Sequence, residues 1–185
     1  YDDRSWRFWF QNLSWLPDYL NSLDKKDAKL AFSVVFRKWM QFVYSKDIDN
    51  EFLYHDHSLA YRPIFLIECS RHIPSDIEPI VNEHLVHIAK LLCSPLEDNA
   101  LSNHSFDQAI ALFSLSDYFR DLKISREWRN LAIRRLRREL EYAFTSDGVH
   151  VENSPSYHHG MISNLQKSLT SVFNKTQDEF IQKKL

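Results

Sequence analysis

Hydrophobic positions recur along this chain at steps of three and four, the spacing of one helix face. Trp6, Phe10 and Leu13 open the series, and Leu16 with Pro17 interrupts it, which predicts two short helices between residues 4 and about 23. Leu30, Val34, Val35, Trp39, Phe42 and Val43 predict a longer helix over residues 27 to about 44, with those side chains inward. The polar stretch 46–50 reads as a loop. A helix over residues 58–71 follows, with Pro63 inside it. Proline lacks an N–H and crowds the preceding turn, so a kink or a late start is expected there. Ser75 is placed to cap the next helix, which runs to about Leu92, and 95–101 reads as a loop. Residues 104–119 are apolar almost all round and read as a buried helix. Residues 125–144 are amphipathic, with Trp128, Leu131, Ala132, Leu136 and Leu140 on one face. Most of the arginine run at 134, 135, 137 and 138 lies opposite that face, among Glu139 and Glu141, and reads as a solvated helix face rather than a nucleic-acid patch. Thr145 to Gly148 form a turn, and Ser154 with Pro155 starts a last helix that runs to about Phe173.

About seven helices joined by short links predict an all-α chain of antiparallel hairpins. Composition narrows this further. Only 2 residues are glycine, against about 7% in average chains, which disfavours β-rich and loop-rich folds. With 23 basic and 25 acidic residues the net charge is −2, and a dedicated nucleic-acid binder shows a basic excess instead. No apolar run reaches the roughly 20 residues of a membrane span. Cys69 and Cys93 sit in apolar helical contexts and read as two buried thiols, not a disulfide framework. The opening Tyr1-Asp2-Asp3 has neither an initiator methionine nor the basic start of a signal peptide, so the chain reads as a mature or excised piece.

Three polar clusters lie where helices are predicted to start. They are His55-Asp56-His57 with Arg62, then Asn103-His104, then residues 152–159 with Glu152, Tyr157, His158 and His159. In an antiparallel array every second helix starts on one rim, so the three together would floor a cleft. With Ser154 as cap, Tyr157 falls in the first helical turn, where the helix dipole favours a phenolate. A tyrosine starts near pKa 10 and needs such help, or a neighbouring cation, to act as a base. Each cluster also has a plainer reading: Tyr157 packed on the preceding turn, Asn103 or Asp56 as a helix cap, His104 as a structural histidine. Nine histidines invite a metal, but no run matches a zinc spacing such as H-E-x-x-H, so no metal ligands and no cofactor are assigned.

The clusters taken in order resemble the helical domain of the heparinase II/III and alginate-lyase superfamily of polysaccharide lyases. The matching text is Tyr54-His55-Asp56-His57-Ser58-Leu59-Ala60-Tyr61-Arg62, Asn103-His104-Ser105-Phe106-Asp107-Gln108-Ala109, and residues 147–158. Trp128-Arg129-Asn130-Leu131-Ala132 and the opening Arg4-Ser5-Trp6-Arg7 are also similar. Pro63 has no place in that pattern. The resemblance implies an incomplete (α/α) toroid of antiparallel helical hairpins, followed in the parent chain by a β-sandwich domain that this chain lacks. It implies β-elimination on a uronate polysaccharide, without a metal, in a bacterial periplasmic or secreted setting. Asn103, His104 and Tyr157 would be catalytic. His57, Arg62 and His158 would bind the sugar acid, and Asp56 and Glu152 would support them. Two rivals remain open here. One is a non-catalytic carbohydrate-binding or structural domain. The other is a glycoside hydrolase, with Asp56 and Glu152 as the required carboxylates.

Overall fold

The computed structural model describes residues 4–45, 52–94, 103–142 and 145, with Asn103 described by its backbone alone. All regular structure among these residues is helical. The chain divides into two compact units, residues 1–92 and 93–185.

The first unit begins with the two expected short helices, α1 (Arg4–Asn12) and α2 (Leu16–Asn21). Between them Leu13 adopts the left-handed conformation at φ 63°. A side chain with a Cβ pays about 1–2 kcal/mol for that conformation. Leu13 is completely buried, and burial of a leucine offsets a cost of that size. The Asn12 side chain stiffens the corner by accepting the Ser14 N–H at 2.9 Å. Pro17 lies in the first turn of α2, where its missing N–H costs nothing.

Helix α3 (Lys25–Val43) starts two residues before the expected point, because Asp24 caps it. The Asp24 carboxylate accepts the N–H groups of Lys26 and Asp27, both at 2.9 Å. Those bonds hold its pKa below the usual carboxylate value. The buried face of α3 is Ala28, Phe32, Phe36, Trp39 and Val43. Leu30 and Val34, expected inward, are more than half exposed. The reason is that two apolar stripes overlap on this helix, and the aromatic one buries more area. Phe32 stacks on Phe36, and Phe36 on Trp39, with centroids 5.6 and 5.9 Å apart.

Helix α4 (Asp56–Glu68) also starts earlier than expected, and it runs through Pro63, which is buried inside it. A 3-10 turn, Ser70–His72, follows. Helix α5 (Glu78–Leu92) starts three residues after Ser75. Ser75 instead lies in a turn closed by the Ile77 and Glu78 N–H groups, which both donate to the Pro74 carbonyl. Helix α4 contacts α1, α2 and α5, so it is the centre of the first unit. The pairs Arg37–Asp76 and Tyr44–His84 advance together along the chain, so α3 and α5 run the same way.

The second unit contains α6 (Asn103–Tyr118) and α7 (Ser125–Tyr142). They form an antiparallel hairpin. Phe119 meets Trp128 at the linked end, Arg129 lies over the Phe113 ring further along, and Ser105 meets Glu139 at the open end. Both faces of α6 are buried over 105–113, as its sequence predicts. On α7, Trp128, Ala132, Leu136 and Leu140 are buried as expected. Arg135 and Glu139 are buried with them, which corrects the reading of a solvated face for those two, whereas Arg134, Arg137 and Glu141 are exposed as expected. Cys69 is a fully buried thiol and Cys93 a half-buried one. Burial pushes the Cys69 thiol up to about 12. No helix among the described residues is long and apolar enough to cross a membrane.

The orientation of α3 makes a stability prediction. Phe36→Ala should cost about 3–5 kcal/mol in urea unfolding. Val34→Ser on the exposed stripe should stay within about 0.5 kcal/mol. Equal costs for the two would mean that the helix faces the other way.

Candidate functional site

The first cluster is built by the start of α4. His55 precedes the helix in extended conformation, at φ −61° and ψ 138°. Asp56 is its first residue, and its Oδ1 lies 2.9 Å from both the His57 N–H and the His55 Nδ1. A proton on His55 Nδ1 therefore points at the carboxylate. The 3.3 Å approach of the His57 N–H to the same nitrogen is the weaker of the two. So Asp56 orients the His55 ring and the His57 backbone. The His57 ring is placed by stacking: Tyr61 lies parallel to it at 5.4 Å, and His55 at 5.9 Å on a tilt of 18°. Phe8 from α1 presents its ring edge-on to both histidines.

Arg62 lies two turns further into α4 and is 1% exposed. Its Nε donates to the Gln11 carbonyl at 3.0 Å and its Nη2 to the Leu53 carbonyl at 2.7 Å. The last carbonyls of a helix have no partner within it. Arg62 thus closes the C-terminal end of α1, and Trp39 assists by donating its indole N–H to the Phe10 carbonyl at 3.2 Å. The guanidinium also lies over the Trp39 ring, 5.2 Å from its centroid. A cation at a helix C-terminus has the favourable sign. Burial still lowers its pKa to about 10, with Tyr44 and Tyr54 pulling the other way. These contacts give Arg62 a structural task, whatever it does for a ligand.

The same unit holds a histidine to which sequence reasoning gave no role once a metal was set aside. His84 on α5 is buried against the edges of Phe36, Trp39 and Tyr44. Its Nδ1 lies 3.4 Å from the Tyr44 hydroxyl. Burial, helped by the Arg62 charge, takes its pKa down to about 3. Burial raises the Tyr44 phenol in turn. The signal for His84 was its place on the apolar stripe Val81, Leu85 and Ile88, which also marks it as a packing residue.

The second cluster opens α6. Asn103 is the first residue of that helix and His104, half-buried, is the second. Ser105 follows, and its hydroxyl donates to Oε1 of the fully buried Glu139 at 2.8 Å. Arg138 reaches the same oxygen with Nε at 3.1 Å and Nη2 at 3.0 Å, and it donates to the Ser105 Oγ at 3.1 Å. The sequence did carry a signal for this network. Trp128, Ala132, Arg135 and Glu139 follow steps of four, three and four, which puts two charges on the apolar seam. The third cluster, with Glu152, Tyr157 and His158, lies outside the described residues. The structure thus assembles the first cluster within one unit and the start of the second within the other. Among the described residues no group of three or more His, Cys, Asp or Glu side chains is placed to hold a metal ion.

A family model described as Heparinase II/III N-terminus matches residues 81–183, over half of the chain. The match contains Asn103, His104, Glu152, Tyr157 and His158, and it begins after His57 and Arg62. No curated protein and no solved structure matches the chain.

Two outcomes follow from the first unit. Arg62→Ala should destabilise it by about 3 kcal/mol or more, since two buried carbonyls lose charged donors. Arg62→Lys should not restore it, because an ammonium cannot span both carbonyls as the fork does. The second concerns acid. His84 is neutral when folded, whereas the unfolded chain takes up a proton below about 6.5. Its contribution is complete above pH 6.5 and is lost as pH falls toward 3. The urea midpoint of His84→Leu should therefore fall less between pH 6.5 and 4 than that of the parent. Parallel curves would contradict this.

Proposed function

The chain belongs to the heparinase II/III N-terminus family, and from that premise we propose that it is the helical part of a polysaccharide lyase that cleaves uronate polymers by β-elimination. The observation that carries the reading is the span of the match. One continuous stretch takes in both Asn103-His104 and the Tyr157 cluster, the residue types that this chemistry needs.

Elimination removes the proton at C5 of a uronic acid and expels the oxygen at C4. The C5 proton is weakly acidic because the neighbouring carboxylate is already negative. Its loss builds an enolate-like dianion, so the catalyst must neutralise the carboxylate as charge develops. Asn103 donates a hydrogen bond to that carboxylate in this reading, with His104 beside it. Tyr157 moves protons, as base toward C5 or as acid toward the leaving oxygen. His158 and His57 hold the sugar acid, and Glu152 and Asp56 orient neighbouring side chains. Arg62, buried as it is, acts on the site by fixing the segment that carries His57. The role of His57 rests on the sequence resemblance, since it precedes the matched span, and those of Asp56 and Arg62 on the contacts around them.

The hairpins belong in this reading to an incomplete (α/α) toroid. An antiparallel β-sandwich domain of the same parent chain closes the cleft and brings the second proton-transfer residue. The setting is bacterial, periplasmic or secreted.

The test uses the full natural gene product on a panel of uronate polysaccharides, followed by the ultraviolet absorbance of unsaturated product. Asn103→Ala and Tyr157→Phe should each lower the rate by about 100-fold or more. The 185-residue chain alone should give little or no product. Undiminished absorbance in both variants would remove the assigned residues from the reaction. Full turnover by the short chain would remove the need for a second domain.

A further inference from the structure

We propose that Glu139 is a positioning residue for the start of α6, and that the Asn103-His104 pair depends on it for its orientation. The second half of this rests on the reading of that pair as the carboxylate-neutralising part of a lyase site.

The network is unusual for its place. Glu139 is completely buried on a seam it shares with Trp128, Ala132, Arg135, Leu136 and Leu140, where a leucine would cost nothing in desolvation. One oxygen of its carboxylate receives three donors: Ser105 Oγ at 2.8 Å, Arg138 Nη2 at 3.0 Å and Arg138 Nε at 3.1 Å. Arg138 Nη2 also donates to Ser105 Oγ at 3.1 Å. Ser105, Glu139 and Arg138 therefore form a closed triangle with one corner on α6 and two on α7.

The corner on α6 is the informative one. Ser105 follows Asn103 by two residues and His104 by one. The first N–H groups of a helix have no acceptor within it, so its first turn is the part most ready to fray. The apolar contacts of Phe106, Ala109, Ile110 and Phe113 hold α6 against its surroundings. Such contacts have no preferred direction and constrain rotation about the helix axis less sharply than a directed bond does. A residue turns the helix by about 100°, so a small error in rotation at 105 redirects both residues before it. Directed, charge-assisted bonds at 105 supply the missing constraint. Arg138 is held from its own side by the neighbouring Glu139, so the fork reaches α6 already oriented.

The experiment uses the full natural gene product with Glu139→Gln and Ser105→Ala. Glutamine keeps the volume and an acceptor oxygen but loses the charge that holds Arg138. Alanine at 105 removes only the hydroxyl, and it decides the matter if the buried substitution does not fold. The first readout is amide hydrogen exchange over residues 107–109, whose N–H groups bond the first-turn carbonyls of 103–105, against 112–115 of the same helix. The second is kcat and KM on the uronate polymer. Exchange at 107–109 should rise about tenfold with 112–115 unchanged, a local opening rather than global unfolding. The turnover should fall about 10–100-fold with KM nearly constant, as expected when a group that acts in the transition state is misplaced. Unchanged exchange at 107–109 in both variants overturns the positioning role whatever the activity. Faster exchange with unchanged kcat overturns the link to Asn103-His104. A parent protein that eliminates no polymer, with exchange altered as stated, locates the failure in the lyase reading and leaves the positioning role standing.

Discussion

Arg62 in the first unit and Glu139 in the second are carried into the interior of this chain, and the helices around each are arranged so that it finds partners. Taking such an ion out of water costs roughly several kcal/mol, and the cost is recovered only with good geometry and complete hydrogen bonding. Arg62 meets that condition by serving the carbonyl of Gln11 at the end of α1 and that of Leu53 before α4. Glu139 gathers Ser105 and Arg138 onto one carboxylate oxygen. Each arrangement joins segments that apolar packing alone would leave free to slide. Helix α4 becomes the centre of the first unit because its arginine closes α1. The hairpin of α6 and α7 acquires a fixed register at its open end because the glutamate catches Ser105.

Much of the fold was legible from spacing. Three- and four-residue steps located the described helices, and the scarcity of glycine pointed away from strands and tight turns. What spacing misjudged has physical reasons. On α3 two stripes compete, and Phe32, Phe36 and Trp39 win over Leu30 and Val34 because rings bury more area and stack. Helix starts moved because capping is local. Asp24 reaches Lys26 and Asp27, whereas Ser75 lies in a turn closed onto Pro74. In the run from Arg134 to Glu141, Arg134, Arg137 and Glu141 are exposed as read, and the reading failed at Arg135 and Glu139, where charge outweighed position. Glu139 in fact continues the seam of Trp128 and Ala132.

The candidate site was legible in a different way. Its residues were found as polar words at helix starts, and their order carried the family resemblance. The family match then fell on the second and third clusters, over residues 81–183. The packing beside the second cluster was hidden, since a serine 33 residues from an arginine and 34 from a glutamate shares no pattern with them until a hairpin brings them together. Arg62 illustrates the opposite case. Its place in the resemblance singled it out for a sugar acid, yet its two hydrogen bonds and the Trp39 ring beneath it make it a fastening of the helical scaffold.

The central claim is that this helical scaffold serves elimination at a uronic acid. The most direct measurement is the mass of the products formed by the full natural gene product from a defined uronate oligosaccharide. Elimination adds nothing, so the masses of the two fragments should sum to that of the substrate. A sum greater by one water would mean hydrolysis and would contradict the account.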